Sequence, residues 1–287
     1  MKILPPIKLP SDHNIFHFGD LHEGSILFSE HVWGQFVQAI NSPYDGCSNN
    51  YAISGGDLME AIMIDDKRFS QEKLTEPLPL EQKKRTEERL MPIKDKLLCL
   101  LDGNHERKLW RFGNIIEDIA LNLGVPYGTY TAKLTIVDGR NKLMYKIYET
   151  HGIRSITSTA DDPKRRRVNM ELILKRHLRD MAADCAVMIK HHVHQMLVCR
   201  PVEALYLYDD GRQIRQGYTG WGQNAQFIHP DARWYGCAGS FMRLFGDGVS
   251  GYAEIFEYKP TELGWLVLRV RNKQVVSLDQ CAALGTK

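Results

Sequence analysis

The stretch Leu100-Leu101-Asp102-Gly103-Asn104-His105-Glu106 decides the fold prediction, because it joins an apolar run to three polar side chains of different chemistry. Residues 96–101 are typical of a short buried strand, which Asp-Gly ends abruptly. Open α/β sheets bind ligands beyond the carboxyl ends of their strands, so Asn104 and His105 are predicted to lie at such an edge. Alone, a tetrapeptide of this kind is more often a polar turn than a site. Whether it belongs to a functional site therefore depends on the partner side chains that the rest of the chain provides.

The composition is that of an ordinary soluble globular protein, and it limits the function classes. The chain has 287 residues and a formal net charge of +2, so affinity for polyanions would have to come from local basic patches. Its six cysteines lack paired spacing, which favours buried thiols in a reducing compartment. Residues 1–10 contain no continuous apolar run, and no segment has the roughly 20 apolar residues of a membrane span. The expectation is a cytoplasmic protein without a membrane partner.

Two strand-to-loop junctions upstream carry side chains of the same kind. Residues 14–18 look like a strand, and Asp20 and His22 follow it at a spacing that lets both side chains point to one side. Residues 51–54 form the next short strand, after which two glycines precede Asp57. A carboxylate with an imidazole is a plausible half of a metal site. Three such junctions in series predict one shared site at the edge of a sheet.

Two more junctions follow downstream. A predicted hairpin over residues 132–148 leads into His151, and a buried strand over residues 185–189 leads into Lys190-His191-His192-Val193-His194. Helical periodicity lies between the strands, at residues 29–40, 80–94, 114–123 and 170–182. After Gln195, short strand-like runs, including 253–258, alternate with glycine-rich turns. We therefore predict an α/β fold with a single domain over residues 1–287, in which 11–195 carry the site and 196–287 supply a second sheet.

Together these junctions offer two carboxylates, one amide and four imidazoles: Asp20, His22, Asp57, Asn104, His151, His192 and His194. This set is too large for one tetrahedral zinc ion and suits two divalent ions roughly 3.5–4 Å apart that share one carboxylate. It contains no thiolate, so manganese or iron would be accepted. Such a pair makes hydroxide available at neutral pH and clamps a phosphoryl group. His105 remains as a proton donor to the leaving oxygen.

Five blocks of the chain resemble, in this order, those of the calcineurin-like metallophosphoesterases: Gly19-Asp20-Leu21-His22, Gly56-Asp57-Leu58-Met59-Glu60, Gly103-Asn104-His105-Glu106, His151 and His192-Val193-His194. The resemblance implies a four-layer αββα sandwich of two mixed β-sheets flanked by helices, with a dinuclear metal site at the sheet edges. It implies that Asp20, His22 and His194 hold one metal, that Asn104, His151 and His192 hold the other, and that Asp57 bridges them. His105 would be the general acid, oriented by Glu60, which stands where the family usually has aspartate. Manganese is the metal expected in vitro, with iron, zinc, nickel or magnesium as alternatives.

Two departures from the family pattern affect the interpretation. The family commonly has glycine before the last His-x-His, where this chain has His191, so a ligand pair using His191 stays open although His192 and His194 are favoured. Protein phosphatases of the superfamily usually carry arginines at the positions of Ala61-Ile62 and Asp102. Without them a dianionic monoester would lose its clamps, which favours a diester. The stretch Gly55-Gly56-Asp57-Leu58 is similar to the DNA-repair exonuclease branch and its small phage and bacterial relatives.

Basic residues near the predicted site bear on the substrate. Six of them are predicted to bind it by tracking phosphates along a groove: Arg107, Lys108, Arg154, Arg165, Arg166 and Arg167. The alternative is that the basic run continuing into the helix forms a solvated face balanced by neighbouring acids. Four aromatic residues could stack on bases, although such residues more often pack in cores and loops: Trp221, Phe227, Trp234 and Tyr235.

The leading functional hypothesis is a metal-dependent phosphodiesterase or nuclease. It would act on nucleic acid, or another phosphodiester, by attack of a metal-bridging hydroxide. One alternative is a phosphomonoesterase of the protein-phosphatase or nucleotide-phosphatase type. The other is a catalytically silent scaffold that binds nucleic acid.

Overall fold

The computed structural model describes residues 1–220 and 222–283. The helices are α1 (Glu30–Asn41), α2 (Pro79–Leu90), α3 (Ile115–Leu123), α4 (Pro163–Leu178) and α5 (Tyr252–Ile255). Short 3₁₀ segments lie at Gln71–Lys73, Met91–Lys96, Glu106–Phe112 and Pro230–Ala232. The strands are β1 (Lys2–Ile3), β2 (Ile7–Lys8), β3 (His13–Phe18), β4 (Asn50–Ser54), β5 (Leu97–Leu100), β6 (Thr131–Val137), β7 (Leu143–Thr150), β8 (Val187–Lys190), β9 (Leu197–Cys199), β10 (Leu205–Asp209), β11 (Ile214–Tyr218), β12 (Trp234–Cys237), β13 (Gly264–Arg271) and β14 (Gln274–Ala282).

Capping residues fix the ends of the helices. The Ser29 hydroxyl accepts a hydrogen bond from the Val32 N–H at 3.4 Å, which starts α1. The Asp162 carboxylate accepts from the Arg165 N–H at 2.7 Å and starts α4 in the same way. Gly124 ends α3 in the left-handed conformation, with φ of 70°, which glycine adopts without steric cost.

The strands form two mixed sheets and a separate hairpin of β10 and β11. One sheet has the order β1-β6-β7-β8-β12-β9, with β2 also paired to β6, and the other has the order β14-β13-β3-β4-β5. Strands β3, β4 and β5 are mutually parallel, as are β7 and β8. Each of these five strands runs into one of the five predicted junctions, so their parallel direction gathers the junctions at one end of the sandwich.

The alternation of side chains along each strand decides what lies between the sheets. On β3, Ile15 belongs to the core between the sheets, whereas Phe16 and Phe18 face the helices. From the facing sheet, Ile147 of β7 and Ile189 of β8 enter the same inner core. Residues two positions further along these strands therefore also point between the sheets.

Helices cover the outer faces of both sheets. Trp33 and Phe36 of α1, with Ile119 of α3, pack against the sheet that contains β3. Leu174 and Leu178 of α4 pack against the sheet that contains β8 and β12. The resulting order of helix, sheet, sheet and helix confirms the predicted αββα sandwich.

Three predictions about elements are wrong in detail. Residues 253–258 are not a strand, since α5 begins at Tyr252. Residues 196–287 do not supply the second sheet of the sandwich, because β9 and β12 extend the sheet of β8 and β13 and β14 extend that of β3, while β10 and β11, among the described strands, pair only with each other. The helix expected at 170–182 begins at Pro163, because Asp162 and Pro163 provide an N-terminal cap that outweighs the polar appearance of the run. No helix in the described part of the chain is long and apolar enough to cross a membrane.

Candidate metal centre

The loops after β3, β4, β5, β7 and β8 meet at one cavity of about 620 Å³. Segments 155–157 and 257–261, with Arg68, Met242 and Leu244, form its walls. Six of the residues predicted for the site line it: His22, Asp57, Asn104, His105, His192 and His194.

Asp20, His22 and His194, called here the Asp20 group, have ligand atoms within 4.8 Å of one another. The Nε2 atom of His194 lies 3.2 Å from Oδ1 of Asp20 and 3.4 Å from Nε2 of His22. The other oxygen of Asp20 accepts a hydrogen bond from the His192 N–H at 3.0 Å. These are the three residues that the family resemblance assigns to the first metal.

Asp57, His151 and His192, called here the Asp57 group, also lie within 4.8 Å of one another. The Nε2 atom of His151 is 3.2 Å from Oδ2 of Asp57 and 3.0 Å from Oδ1 of Asn104. The amide oxygen of Asn104 can therefore join this group. The structure thus brings together all seven predicted ligands, although their roles stay predictions.

Five of the predicted ligands have left-handed backbone conformations, with φ between 50° and 76°: Asp20, His22, Asp57, His192 and His194. A non-glycine residue in this region costs roughly 1–3 kcal/mol, and such strain concentrates at functional sites. The backbone therefore turns sharply after β3, β4 and β8, which directs these side chains into one place. The local sequence does not predict this left-handed conformation.

Hydrogen bonds from outside the two groups fix the orientation of two imidazoles. The Glu60 carboxylate bonds to Nδ1 of His22 at 2.8 Å, and the Gly55 carbonyl bonds to Nδ1 of His151 at 2.8 Å. Each contact leaves Nε2 as the ring nitrogen that faces its group. Histidines that bind metals are usually held in this way through their other ring nitrogen.

The donor set fits divalent cations. The buried Oδ1 atom of Asp20 makes no well-aligned hydrogen bond among the described residues, although His194 Nε2 is 3.2 Å away and a buried carboxylate oxygen normally has such a bond. The Nε2 atoms of His22 and His194 face each other at 3.4 Å, and two imidazole lone pairs repel unless a proton or a cation lies near them. Carboxylate, amide and imidazole ligands without thiolate suit manganese, iron or zinc.

Charges within the site shift the pKa values in opposite directions. Burial disfavours the charged ring of His22, but the Glu60 carboxylate raises the pKa of His22 to about 9. Burial likewise opposes the charged form of His151, and the Asp57 and Asp20 carboxylates raise its pKa to about 9. Burial and the neighbouring His151 lower the pKa of His192 to about 4. A bound cation would replace the protons on His22 and His151.

His105 lies beside both groups, but Glu60 does not orient it as expected. Its Nδ1 atom bonds to the main-chain oxygen of Glu60 at 2.5 Å, whereas the Glu60 carboxylate is 3.9 Å away and bonds to His22 instead. The His105 N–H also donates to Oδ1 of Asp57 at 2.9 Å.

Two residues of the site were missed by the sequence analysis. The Arg68 guanidinium reaches the cavity from the insertion after β4, and its Nη1 atom lies 3.2 Å from Nε2 of His105. The buried Glu106 carboxylate accepts backbone N–H bonds from Gly103, Asp57 and Met59 and so ties two loops together. A carboxylate directly after Asn-His was a signal for Glu106, but the sequence contains none for Arg68.

His191, whose role was left open, points away from both groups. Its Nε2 atom bonds to Oε1 of Glu149 at 2.9 Å in the core between the sheets. The alternation along β8 accounts for this, since Val187, Ile189 and His191 all face inward. The ligand groups found among the described residues do not include His191.

The six basic residues predicted to bind substrate do not line this cavity. Arg166 and Arg167 line an adjoining cavity, which shares Gln195, Lys259 and Pro260 with the first. Their guanidinium groups also donate to the chain, Arg166 to the Ala160 carbonyl at 2.9 Å and Arg167 to the Met196 carbonyl at 3.0 Å.

The other four basic residues differ in their surroundings. Lys108 is paired with Asp66 at 2.9 Å, and Arg107 stacks on Trp110 with 4.5 Å between its guanidinium carbon and the ring centroid. Arg154 and Arg165 are exposed. Asp66 offsets part of the charge of Lys108, and Asp102, whose Oδ2 atom lies 3.8 Å from Nη1 of Arg107, offsets part of the charge of Arg107.

The aromatic residues considered for base stacking are not gathered at the site. Tyr235 is buried in the core beside α4, and Trp234 packs against the core between the sheets. Phe227 is exposed, and Trp221 lies outside the described residues. The aromatic residue that lines the cavity among the described ones is Tyr258, which was not considered.

Comparisons with known proteins add little. No protein-family model matches the chain, and no curated protein matches it. Among solved structures, the chain is similar to a conserved uncharacterized protein from Streptococcus pneumoniae TIGR4, described as a predicted phosphoesterase, with 11% identity and a TM-score of 0.32 over 95% of this chain and 98% of that one. At this TM-score the similarity supports no functional conclusion.

Proposed function

We propose that the chain is a phosphoesterase with a dinuclear metal centre. The observation that carries the proposal is that the Asp20 group and the Asp57 group reach the same cavity, with His105 beside both. A single cavity that joins two ligand groups suits two-metal hydrolysis. In that reaction the two metals stabilise the attacking oxygen and the leaving oxygen of an in-line displacement. The order of the five sequence blocks supports the same interpretation.

The metals, Asp57 and His105 would have separate roles in the hydrolysis. Bound metals would supply Lewis acidity toward a phosphoryl oxygen and a water of lowered pKa. Asp57 lies next to His151 and contributes the carboxylate that both metals would share. The Glu60 carbonyl accepts from Nδ1 of His105, so Nε2 is the ring nitrogen that faces the cavity, where it accepts from the Arg68 guanidinium at 3.2 Å. Burial lowers the pKa of His105, so Nε2 would have to take up a proton, for example from the attacking water, before it gives one to the leaving oxygen.

We favour a phosphodiester as the substrate, and among phosphodiesters we favour nucleic acid. Support comes from the adjoining cavity, which continues the first one past Lys259 toward Arg166 and Arg167. Lys259, Arg166 and Arg167 offer positive charge to regularly spaced phosphates, although Arg167 also pairs with Glu171 and Glu262 lines the same cavity. Ala61, Ile62 and Asp102 also leave the positions of the phosphatase arginines without positive charge.

A phosphomonoesterase is the second candidate, and Arg68 favours it. This guanidinium donates to the Asp66 carboxylate through Nε and Nη2, and its Nη1 lies in the cavity next to His105, where a terminal phosphate dianion would compete with Asp66 for it. Arg68, in the insertion after β4, brings a guanidinium to the cavity although the positions of the phosphatase arginines hold Ala61, Ile62 and Asp102. The two candidates share the metal centre and differ in what the cavity walls accept.

The test is a metal-resolved activity screen. The protein, loaded with manganese, iron, zinc, nickel or magnesium, is assayed on bis-p-nitrophenyl phosphate and on p-nitrophenyl phosphate. It is then assayed on single-stranded DNA, duplex DNA, RNA and cyclic dinucleotides. Metal-dependent hydrolysis supports a phosphoesterase, and faster monoester turnover would replace the first candidate by the second. If the protein binds metal but hydrolyses none of these esters, the silent scaffold becomes the better description.

A further inference from the structure

Three buried side chains form a hydrogen-bonded chain directly beneath the metal centre. The Glu149 carboxylate bonds to Nδ1 of His17 through Oε2 and to Nε2 of His191 through Oε1, both at 2.9 Å. All three side chains are fully buried. No part of the catalytic proposal uses them, and a buried charged network of this kind is costly unless it is well satisfied.

Each member of this chain, called here the His-Glu-His chain, precedes a predicted ligand on its own strand. His17 lies three residues before Asp20, Glu149 two residues before His151, and His191 one residue before His192. His17 belongs to the sheet of β3, whereas Glu149 and His191 belong to β7 and to the end of β8 in the facing sheet. The chain therefore joins the two sheets just below the place where their ligands must meet.

The close packing around His191 links its position to the ligands. A Cβ atom on Gly55 would lie 2.0 Å from the His191 ring, and one on Gly19 would lie 2.9 Å from it. Two glycines are thus required where the ring passes under the loops. The Gly55 carbonyl also holds His151, so a shift of His191 would move a predicted ligand through the backbone.

The hydrogen-bond pattern of the His-Glu-His chain is centred on the Glu149 carboxylate. Both imidazoles direct a nitrogen at the same carboxylate, which as an ionised group can accept from both. Their other nitrogens, Nε2 of His17 and Nδ1 of His191, have no partner among the described residues. An ionised Glu149 can thus bond to one nitrogen of a ring from each sheet, and the second nitrogen of each ring is left without a partner in the described part of the chain.

A second contact between the same strands serves as an internal reference. Four residues earlier on each strand, Nε2 of His13 lies 2.6 Å from the Tyr145 hydroxyl, between the same two sheets. This pair is also buried, but it has no carboxylate and lies further from the ligands. The His13–Tyr145 pair therefore joins the two sheets by a hydrogen bond that involves no carboxylate.

We propose that the His-Glu-His chain is a positioning unit for the metal centre. Glu149, by binding one histidine from each sheet, fixes Asp20 against His151 and His192 and places a negative charge beneath the bound cations. This inference rests on the proposed dinuclear centre and adds residues that shape it without touching a metal. Residues that orient metal ligands typically change metal affinity about 10–100-fold when they are replaced.

The test measures manganese binding by calorimetry, together with the thermal stability of the metal-free protein. Glu149→Gln keeps the shape of the side chain and removes its charge, and it is expected to weaken manganese binding about 10–100-fold. Tyr145→Phe is the matched control, because it removes the reference hydrogen bond between the same strands. It is expected to lower the melting temperature and to leave manganese affinity unchanged.

A second pair of variants keeps the proposal testable if Glu149→Gln does not fold. His17→Leu removes the donor to Glu149 and should weaken manganese binding, while His17→Asn keeps an N–H near the position of Nδ1 and should restore it. Wild-type affinity in Glu149→Gln, or in His17→Leu, would overturn the proposal. An equal loss of affinity in Tyr145→Phe would also overturn it, since the effect would then be structural.

The outcomes separate this inference from the proposed function. If the wild type binds manganese and hydrolyses no phosphoester, the proposed function fails and the positioning role is still decided by the affinities. If the wild type hydrolyses esters and Glu149→Gln binds metal normally, only the positioning role fails. A wild type that binds no divalent metal would overturn both.

Discussion

The floor and the walls of the cavity are built differently. The floor consists of the Asp20 group and the Asp57 group with Asn104 and His105, all at or just beyond the ends of strands and mostly buried. The walls come from long connections, namely the insertion at 61–78 that carries Arg68, the segment 152–162 and the segment 241–261. Side chains of the floor are held by hydrogen bonds to neighbouring loops, whereas the walls present exposed side chains such as Tyr258.

This difference indicates which part controls which property. Residues on strand ends are positioned by two packed sheets, so they can hold reacting groups within the small tolerances that chemistry needs. Loops tolerate change more readily and are the usual place where substrate selection resides. Changes to the floor should therefore affect every substrate, and changes to the walls should affect some substrates more than others.

The largest effect is expected for Asp57→Asn. The variant loses the anionic oxygen next to His151 and the shared ligand of both metals, while the amide can still accept from the His105 N–H. Since metal-ion stabilisation is worth several kcal/mol, turnover should fall about a thousandfold or more on all esters. Steady-state rates with excess manganese measure this. Asp102→Asn, a buried carboxylate bonded to Tyr127 at the next strand end, is the matched control and should retain activity.

His105→Ala should keep the metals and lose the acid. General-acid catalysis contributes about 10²–10⁴-fold, and mainly for leaving groups that need a proton. Rates are therefore expected to fall strongly for alkyl or nucleoside esters and only slightly for p-nitrophenyl esters. A series of esters with leaving groups of increasing pKa measures the slope. Equal slowing across the series would show that His105 is not the proton donor.

Arg68→Ala tests whether a wall selects the substrate. A hydrogen bond to a charged group is worth about 1.5–3 kcal/mol, so the loss of this guanidinium should lower kcat/KM about 10–100-fold for a phosphomonoester. The effect on a diester, which carries less charge, should be smaller. Arg111→Ala is the control, since Arg111 pairs with Asp65 of the same insertion and does not line the cavity. If kcat/KM fell equally for both ester classes, Arg68 would contribute to hydrolysis in general, as the floor residues do, and would not select the substrate.

The smallest effect is expected for the basic run that begins α4. Replacement of Arg165, Arg166 and Arg167 by alanine should reduce the salt dependence of nucleic-acid binding by about 0.7–0.9 in log–log slope for each phosphate that the protein no longer neutralises. Because Arg166 and Arg167 also donate to backbone carbonyls, fewer than three phosphates are expected to be affected. Fluorescence anisotropy across a salt series measures the slope, with Arg140→Ala in the β6–β7 turn as the control. An unchanged slope would place the run outside the groove.

Much of the floor could be predicted from the sequence. Asp20, Asp57 and His151 each follow a recognisable strand, and parallel strands bring their carboxyl ends to one edge. Period-two alternation along β8 would also have predicted that His191 points inward, since Val187 and Ile189 do. The strand and helix patterns predicted an α/β fold, and the αββα layering was predicted only by the family resemblance.

Other features depended on contacts between distant parts of the chain. Arg68 reaches His105 only because the insertion folds back over the cavity, and a loop without periodicity gives no such signal. The Glu60 carboxylate bonds to His22 and not to His105, a choice between two partners that motif spacing does not encode. The strands after residue 195 divide between both sheets, since each extends an edge that the earlier strands have formed.

The sequence by itself determined the chemistry of this protein, namely which carboxylates, amide and imidazoles stand at the ends of its strands. Local patterns suffice for that, because strand alternation and turn residues act over a few positions. Only the tertiary structure decided how these groups are held and what surrounds them. The left-handed turns at Asp20 and His192, the contact of Arg68 with His105 and the joining of His17 and His191 through Glu149 all arise where two sheets and their loops pack together.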